Sequence, residues 1–222
     1  MFDMIKMIVA LTIISALAGL AIGAAYDKTK EKIKAQEAFA KQEAIEAVFP
    51  RGVAIKEEKG GGTLPDTFKY WSATADGKLA GYAFEVSERG YSSEIKFMVG
   101  VDSTGKILGL SVLAHNETPG LGSRMTEVAF YKYVWYPIGD DEPGKPWFTQ
   151  QFEGLSSLKN IGINKSLGEW HNLDSAARAK LREKNEITAI TGSTISTVAV
   201  TKTISRDVGG YVKALKTKQS EQ

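Results

Sequence analysis

Residues 94–114 read EIKFMVGVDSTGKILGLSVLA. Two apolar runs rich in Val, Ile and Leu, residues 94–102 and 106–114, flank Ser103-Thr104-Gly105, the pattern of two antiparallel strands joined by a short turn. Toward the N-terminus the arrangement repeats. Residues 68–75 and 78–86 flank Asp76-Gly77, a dipeptide suited to the positive φ angles of a tight hairpin. Four short strands with tight turns predict a twisted antiparallel sheet. The Gly60-Gly61-Gly62 run ahead of them lies among lysines and glutamates and reads as a loose loop.

Beyond the strands the pattern turns helical. A helix is expected over residues 123–133, an irregular aromatic stretch over 135–158, and a short helix over 175–183. The apolar run Ile187-Thr188-Ala189-Ile190 follows. The last helix, residues 196–215, places Thr197, Val200, Thr201, Ile204, Val208, Tyr211, Val212 and Leu215 on one face at helical spacing. This order predicts one α+β domain, with helices on one side of a mainly antiparallel sheet.

Residues 7–26 (MIVALTIISALAGLAIGAAY) contain no charge. A helix of that length, at about 1.5 Å per residue, crosses the roughly 30 Å hydrocarbon core of a bilayer. A cleaved signal peptide competes, because Gly23-Ala24-Ala25 resembles a cleavage site. Signal-peptide cores usually run only about 7–15 residues, which favours a retained transmembrane anchor. Small residues such as Ala16, Gly19 and Gly23 would let partner helices approach closely. Residues 27–48 read as a helical stalk, stopped by Phe49-Pro50-Arg51-Gly52. Lys28, Lys30, Lys32 and Lys34 after the span outnumber Lys6 before it, which by the positive-inside rule points the domain to the cytoplasm. Large domains translocate largely regardless of that bias.

Composition narrows the chemistry. The chain has no cysteine, which excludes disulfides, thiolate zinc sites and Cys-ligated iron–sulfur clusters, and its two histidines, His115 and His171, offer little to a transition metal. Redox chemistry would therefore need an organic cofactor. The 28 Lys and Arg against 26 Asp and Glu are dispersed, leaving no nucleic-acid footprint. Residues 139–146 (GDDEPGKP) space their glycines and lysine like a phosphate-binding loop. Pro146, however, occupies the place of the magnesium-ligating hydroxyl, and the acidic residues repel phosphate.

Residues 191–197 (TGSTIST) lie between a strand-like run and the terminal helix. Unpaired N–H groups and partial positive charge make a helix N-terminus favourable for phosphate. Gly192 permits close approach, and the hydroxyls of Thr191, Ser193 and Thr194 can donate to phosphate oxygens. Ordinary capping accounts for the same residues, because Ser and Thr are favoured just before helices.

Three stretches, in order, resemble one family. His115-Asn116-Glu117-Thr118-Pro119-Gly120-Leu121-Gly122 is similar to the HxETPGLG signature of the FMN-binding subunits of the Rnf and Nqr complexes (RnfG and NqrC). Residues 146–154 (PWFTQQFEG) resemble their Trp…Phe-x-Gly segment, and residues 190–196 (ITGSTIS) their flavinylation motif. Ser193 stands where the family usually has alanine. Ile187 and Thr188 stand where it often has Asp, with Glu186 as a shifted acidic candidate.

The resemblance implies an N-terminal transmembrane anchor (1–27), a stalk (28–50) and an FMN-binding domain (51–222). It implies that Thr194 carries FMN covalently through a phosphoester, with Glu117, Thr118, Leu121, Gly122, Thr191, Gly192 and Ser193 around the cofactor. The expected role is an electron-transfer subunit of an Rnf ion-translocating ferredoxin:NAD oxidoreductase, with no independent catalysis. Its partners would be the other subunits, a flavin transferase for maturation, and membrane lipid. The domain would lie on the extracytoplasmic side of the bacterial inner membrane. An NqrC-like subunit of a sodium-pumping NADH:quinone reductase is the alternative within the class. A membrane-tethered binding module, with residues 191–196 only capping a helix, is the alternative outside it.

Overall fold

The computed structural model describes residues 2–61, 64–128 and 145–220. Contacts divide the chain into two units, residues 1–42 and 43–222.

Helix α1 (Phe2–Ala47) is continuous, so the expected span and stalk are one element. Among the described residues it is the one helix long and apolar enough to cross a membrane, and none of its apolar stretch is buried in the chain. Ile8, Leu11, Leu17, Leu20 and Ile22 are all exposed, unlike the core helix of a soluble domain. Thr12, inside this stretch, returns its hydroxyl to the carbonyl of Ile8 at 2.8 Å, leaving no unpaired hydroxyl hydrogen to face an apolar surround.

The second unit is built on an antiparallel meander of β1 (Ala54–Gly61), β2 (Leu64–Ala75), β3 (Lys78–Arg89), β4 (Glu94–Val101) and β5 (Ile107–Ala114), ordered as in the chain. The pairs Tyr82↔Val101, Phe84↔Val99 and Val86↔Phe97 point to one face, and Ala83↔Gly100 and Glu85↔Met98 to the other. Against the first face pack α2 (Trp147–Gln150), α4 (Thr194–Thr203) and α5 (Gly209–Ser220), through Phe148, Val200 and Val212 among others. A five-residue π segment, Ile204–Val208, joins α4 to α5. Strand β6 (Gly162–Asn164) pairs in parallel with β7 (Glu186–Thr188), and α3 (Ser175–Glu183) lies between them in sequence.

The α+β class stands, but three expectations need correction. Helices do not keep to one side of the sheet. The end of α1 and the residues after it, Ala44, Ile45, Val48 and Phe49, bury the opposite face with Trp71, Ala73, Ala83 and Met98. The paired glycines Gly100 and Gly109 leave room for this crossing, since a Cβ at Gly109 would lie 2.9 Å from the Val48 Cα. The sheet has five strands, because β1 includes Gly60 and Gly61. Its charged sequence lacks apolar alternation, as suits an edge strand protected by lysines. The expected helix over 123–133 is a 3-10 turn, Gly122–Thr126, after which Glu127 is already extended. The rest of that stretch, and residues 139–144, lie outside the described residues.

Candidate functional site

The site assembles where the ETPGLG loop meets the N-terminus of α4. Gly120 takes a left-handed φ of +75°, turning the chain into the 3-10 turn. Thr118 O accepts from the amides of Leu121 and Ser123 at 3.1 and 3.3 Å, and Ser123 Oγ accepts from Gly120 N at 3.1 Å. His115 acts locally, its Nδ1 accepting from Glu117 N at 3.3 Å.

Glu117 is only 5% exposed. Its carboxylate accepts from the amides of Tyr91, Ser92 and Ser93 at 3.3, 2.9 and 3.0 Å, and from the hydroxyl of Ser196. Burial pushes its pKa up, but these four donors, led by Ser196, outweigh it and hold the carboxyl below the ordinary glutamate range. Gly122 must be small here, since a Cβ would lie 2.5 Å from Glu117 Oε2 and 2.9 Å from Ser196 Oγ.

The loop before α4 is shaped by Gly192 at φ +76°. Leu121 lies over it, its Cδ2 2.9 Å from where a Cβ would stand. Thr197 secures the loop from beneath, its hydroxyl donating to Ser193 O at 3.0 Å and accepting from Ile190 N at 3.1 Å. The first α-helical bond of α4 runs from Thr197 N to Ser193 O, so the amides of Thr194, Ile195 and Ser196 have no helical acceptor. Ser193 is the N-cap residue, yet its side chain caps none of them. Its hydroxyl donates instead to Ser196 Oγ at 2.9 Å, and Ser196 passes its hydrogen to Glu117. The capping that would explain this sequence without a ligand is therefore not made.

The four hydroxyls of the loop are not equivalent. Ser193 and Ser196 are buried in the relay to Glu117, and Thr191, exposed at the start of the loop, is tied to Glu169 by its backbone amide. Thr194, half-buried at the first position of α4, makes no side-chain hydrogen bond among the described residues. The residues alone offered Thr191, Ser193 and Thr194 as donors, and only the resemblance singled out Thr194. The fold separates them.

Two contributors escaped the sequence reading, Arg124 and Glu169. Glu169 Oε1 accepts from Thr191 N at 3.0 Å, and its carboxylate pairs bidentately with Arg124 at 2.5 and 2.8 Å. The shifted acidic candidate, Glu186, instead accepts from the Asn164 side chain at 3.4 Å. No motif marks Glu169, which lies 45 residues from Arg124 and 22 from Thr191. The buried carboxylate is held below its usual range because Arg124 and Thr191 outweigh its desolvation. Burial likewise lowers the pKa of neighbouring His171, favouring its neutral form.

Residues 90–208, from the turn whose amides bind Glu117 to the end of the π segment, match the FMN-binding domain family. The chain belongs to that family. It resembles the G subunit of the ion-translocating oxidoreductase complex of Methanosarcina acetivorans, 28% identical over 62% of this chain and 77% of the relative. The G subunit of the Na(+)-translocating ferredoxin:NAD(+) oxidoreductase complex of Acetobacterium woodii is 27% identical over 79% and 71%. The corresponding G subunit of Haemophilus influenzae is 34% identical, over 45% of this chain and about half (52%) of the relative. The crystal structure of the C subunit of Na(+)-translocating NADH-quinone reductase from Parabacteroides distasonis shares the fold, with a TM-score of 0.53 at 17% identity over 85% of this chain and 96% of that one.

The residues present suit a flavin nucleotide phosphate. The uncapped amides at the start of α4 are oriented donors, Gly192 presents no side chain, and the Thr194 hydroxyl is available beside them. Leu121 and Ile195, 40% and 56% exposed, offer apolar surface next to it.

Proposed function

We propose that Thr194 carries FMN through a phosphoester bond and that the chain is the flavin-bearing G subunit of an Rnf-type ion-translocating ferredoxin:NAD oxidoreductase. The observation that carries this reading is the Thr194 hydroxyl, without a hydrogen bond among the described residues and beside the uncapped amides of α4, while Ser193 and Ser196 are bonded to each other and to Glu117. In the attachment step the Thr194 Oγ1–P bond forms as a pyrophosphate P–O bond of a flavin dinucleotide breaks. The hydroxyl proton goes to a base on a separate flavin transferase, AMP leaves, and nothing changes oxidation state. When bound, FMN supplies one-electron and two-electron chemistry at an organic ring, suiting a chain without cysteine.

The chain's residues then retain and orient. The amides of Thr194, Ile195 and Ser196 would hold the phosphodiester charge, assisted by the helix dipole. Glu117, ionised on the same helix terminus, repels a phosphate dianion, so a covalent link is the means of retention that this charge arrangement favours. Leu121 and Ile195 present apolar contacts to a ring, while Thr118, bonded to Ser92 at 3.0 Å, keeps the loop in place. Relatives that are G subunits, aligned along most of their length in two species, support the Rnf assignment over the Nqr one. In this reading α1 anchors the chain in the cytoplasmic membrane beside the other subunits, with the domain outside the cytoplasm. The protein relays electrons and catalyses no separate reaction.

The test is intact mass and in-gel flavin fluorescence after co-expression with a flavin transferase. Wild type should gain one FMN-sized increment. Thr194→Val should abolish it, Ser193→Ala should retain it, and Thr191→Ala should reduce it. Retention in Thr194→Val with loss in Ser193→Ala would move the acceptor by one residue. An unmodified wild type would overturn the covalent reading.

A further inference from the structure

We propose that the Arg124–Glu169 ion pair is a positioning clamp that presents the Thr194 hydroxyl by holding the Thr191–Gly192 backbone. The inference rests on Thr194 being the acceptor, and it adds two residues outside the three motifs. The 3-10 turn Gly122–Thr126 grips the acceptor loop at two points. Leu121, its N-cap residue, lies against Gly192. Arg124, whose amide bonds Leu121 O at 3.1 Å, reaches Thr191 N through Glu169.

Each member of the clamp is itself oriented. Arg124 Nε donates to Glu127 at 2.9 Å, and Trp147 Nε1 donates to the same carboxylate at 3.2 Å. The guanidinium stands 5.7 Å from the centroid of the buried Trp147 ring. Glu169 is 8% exposed, so its charge is held by Arg124 rather than by bulk water. A part-buried, bidentate pair adds geometric specificity to its charge. That geometry fixes the Thr191 amide on Glu169, three residues before Thr194. The clamp therefore aims the loop through its backbone. The Ser193–Ser196–Glu117 relay withdraws two competing hydroxyls from the other side.

The test uses the full chain in detergent with a purified flavin transferase and FAD, comparing wild type, Glu169→Gln and Arg124→Lys. Glu169→Gln keeps the size of the side chain and removes its charge. Arg124→Lys keeps the charge and removes the fork. Flavinylation is followed by fluorescence at varied acceptor concentration, and the folded fraction by hydrogen exchange at the assay temperature. Each variant should show a kcat about tenfold lower, the scale of one lost charge-assisted hydrogen bond, with KM for the acceptor near wild type. Arg124→Lys, retaining one ionic contact, should be the milder. Unchanged kcat in both folded variants would overturn the clamp, as would a loss that only follows the unfolded fraction. A wild type that takes no flavin would instead overturn the assignment of Thr194.

Discussion

Ser196, on the first turn of α4, donates its hydroxyl hydrogen to Glu117, 79 positions earlier in the chain. Because the same carboxylate collects the amides of Tyr91, Ser92 and Ser93, it joins the β3–β4 turn, the ETPGLG loop and α4. The first turn of α4 is therefore tied to segments far from it in the chain.

Glu117→Gln should destabilise the domain by about 1–3 kcal/mol at neutral pH, the range for losing a charged acceptor from buried donors. The pKa of Glu117 is lowered in the folded state, so its contribution is present above the ordinary glutamate value of about 4.3. It is lost as pH falls through the lower folded value. Thermal unfolding of wild type and variant across pH should show the gap narrowing at acid pH. A gap undiminished at strongly acid pH would remove charge from the explanation.

Gly122→Ala places a methyl group 2.5 Å from Glu117 Oε2 and 2.8 Å from its Cβ. The carboxylate must move off Ser196 to admit it. We expect a stability loss of about 1–3 kcal/mol together with reduced flavin attachment. Urea unfolding and in-gel fluorescence check both, and wild-type values in each would refute the tight fit.

Glycines elsewhere should separate by their surroundings. Gly100→Ala drives a Cβ into the backbone of Val48 and should prise the end of α1 off the sheet, lowering the thermal midpoint. Gly210, exposed on α5 with nothing within 4 Å of its added Cβ, should behave oppositely. Gly210→Ala should stabilise by about 0.5–1 kcal/mol, because alanine loses less backbone freedom in a helix. Equal effects would show that the Val48 crossing is loose.

Protease added to intact spheroplasts should digest the domain if it lies outside the cytoplasm. Full protection would place it inside, as the lysines after the span suggest on their own. Detection of flavin on the digested fragments ties the topology to the modification.

Much of the second unit is legible along the chain because its signals are local. Asp76 and Gly77 both adopt positive φ at the predicted hairpin, and Asp174 caps α3 at its expected start by accepting from Ala177 N at 2.7 Å. Strand β1 was illegible because an edge strand needs no apolar face. The crossing of Val48 over Gly100 and Gly109 was illegible because a glycine in a strand does not name the backbone that will lie on it.

The sequence by itself determined an uncharged stretch able to span a membrane, a meander of hairpins, and a Ser/Thr-rich loop opening a helix. These follow from residue periodicity, turn chemistry and length, which are properties of neighbours in the chain. Only the tertiary structure decided which hydroxyls of that loop are taken up by the fold. Glu117 and Glu169 arrive from distant segments, and each captures the donors within its reach, the Ser196 hydroxyl with Ser193 behind it on one side and the Thr191 amide on the other. A hydrogen bond is won by proximity in the folded chain, and the spacing of TGSTIS carries no record of that.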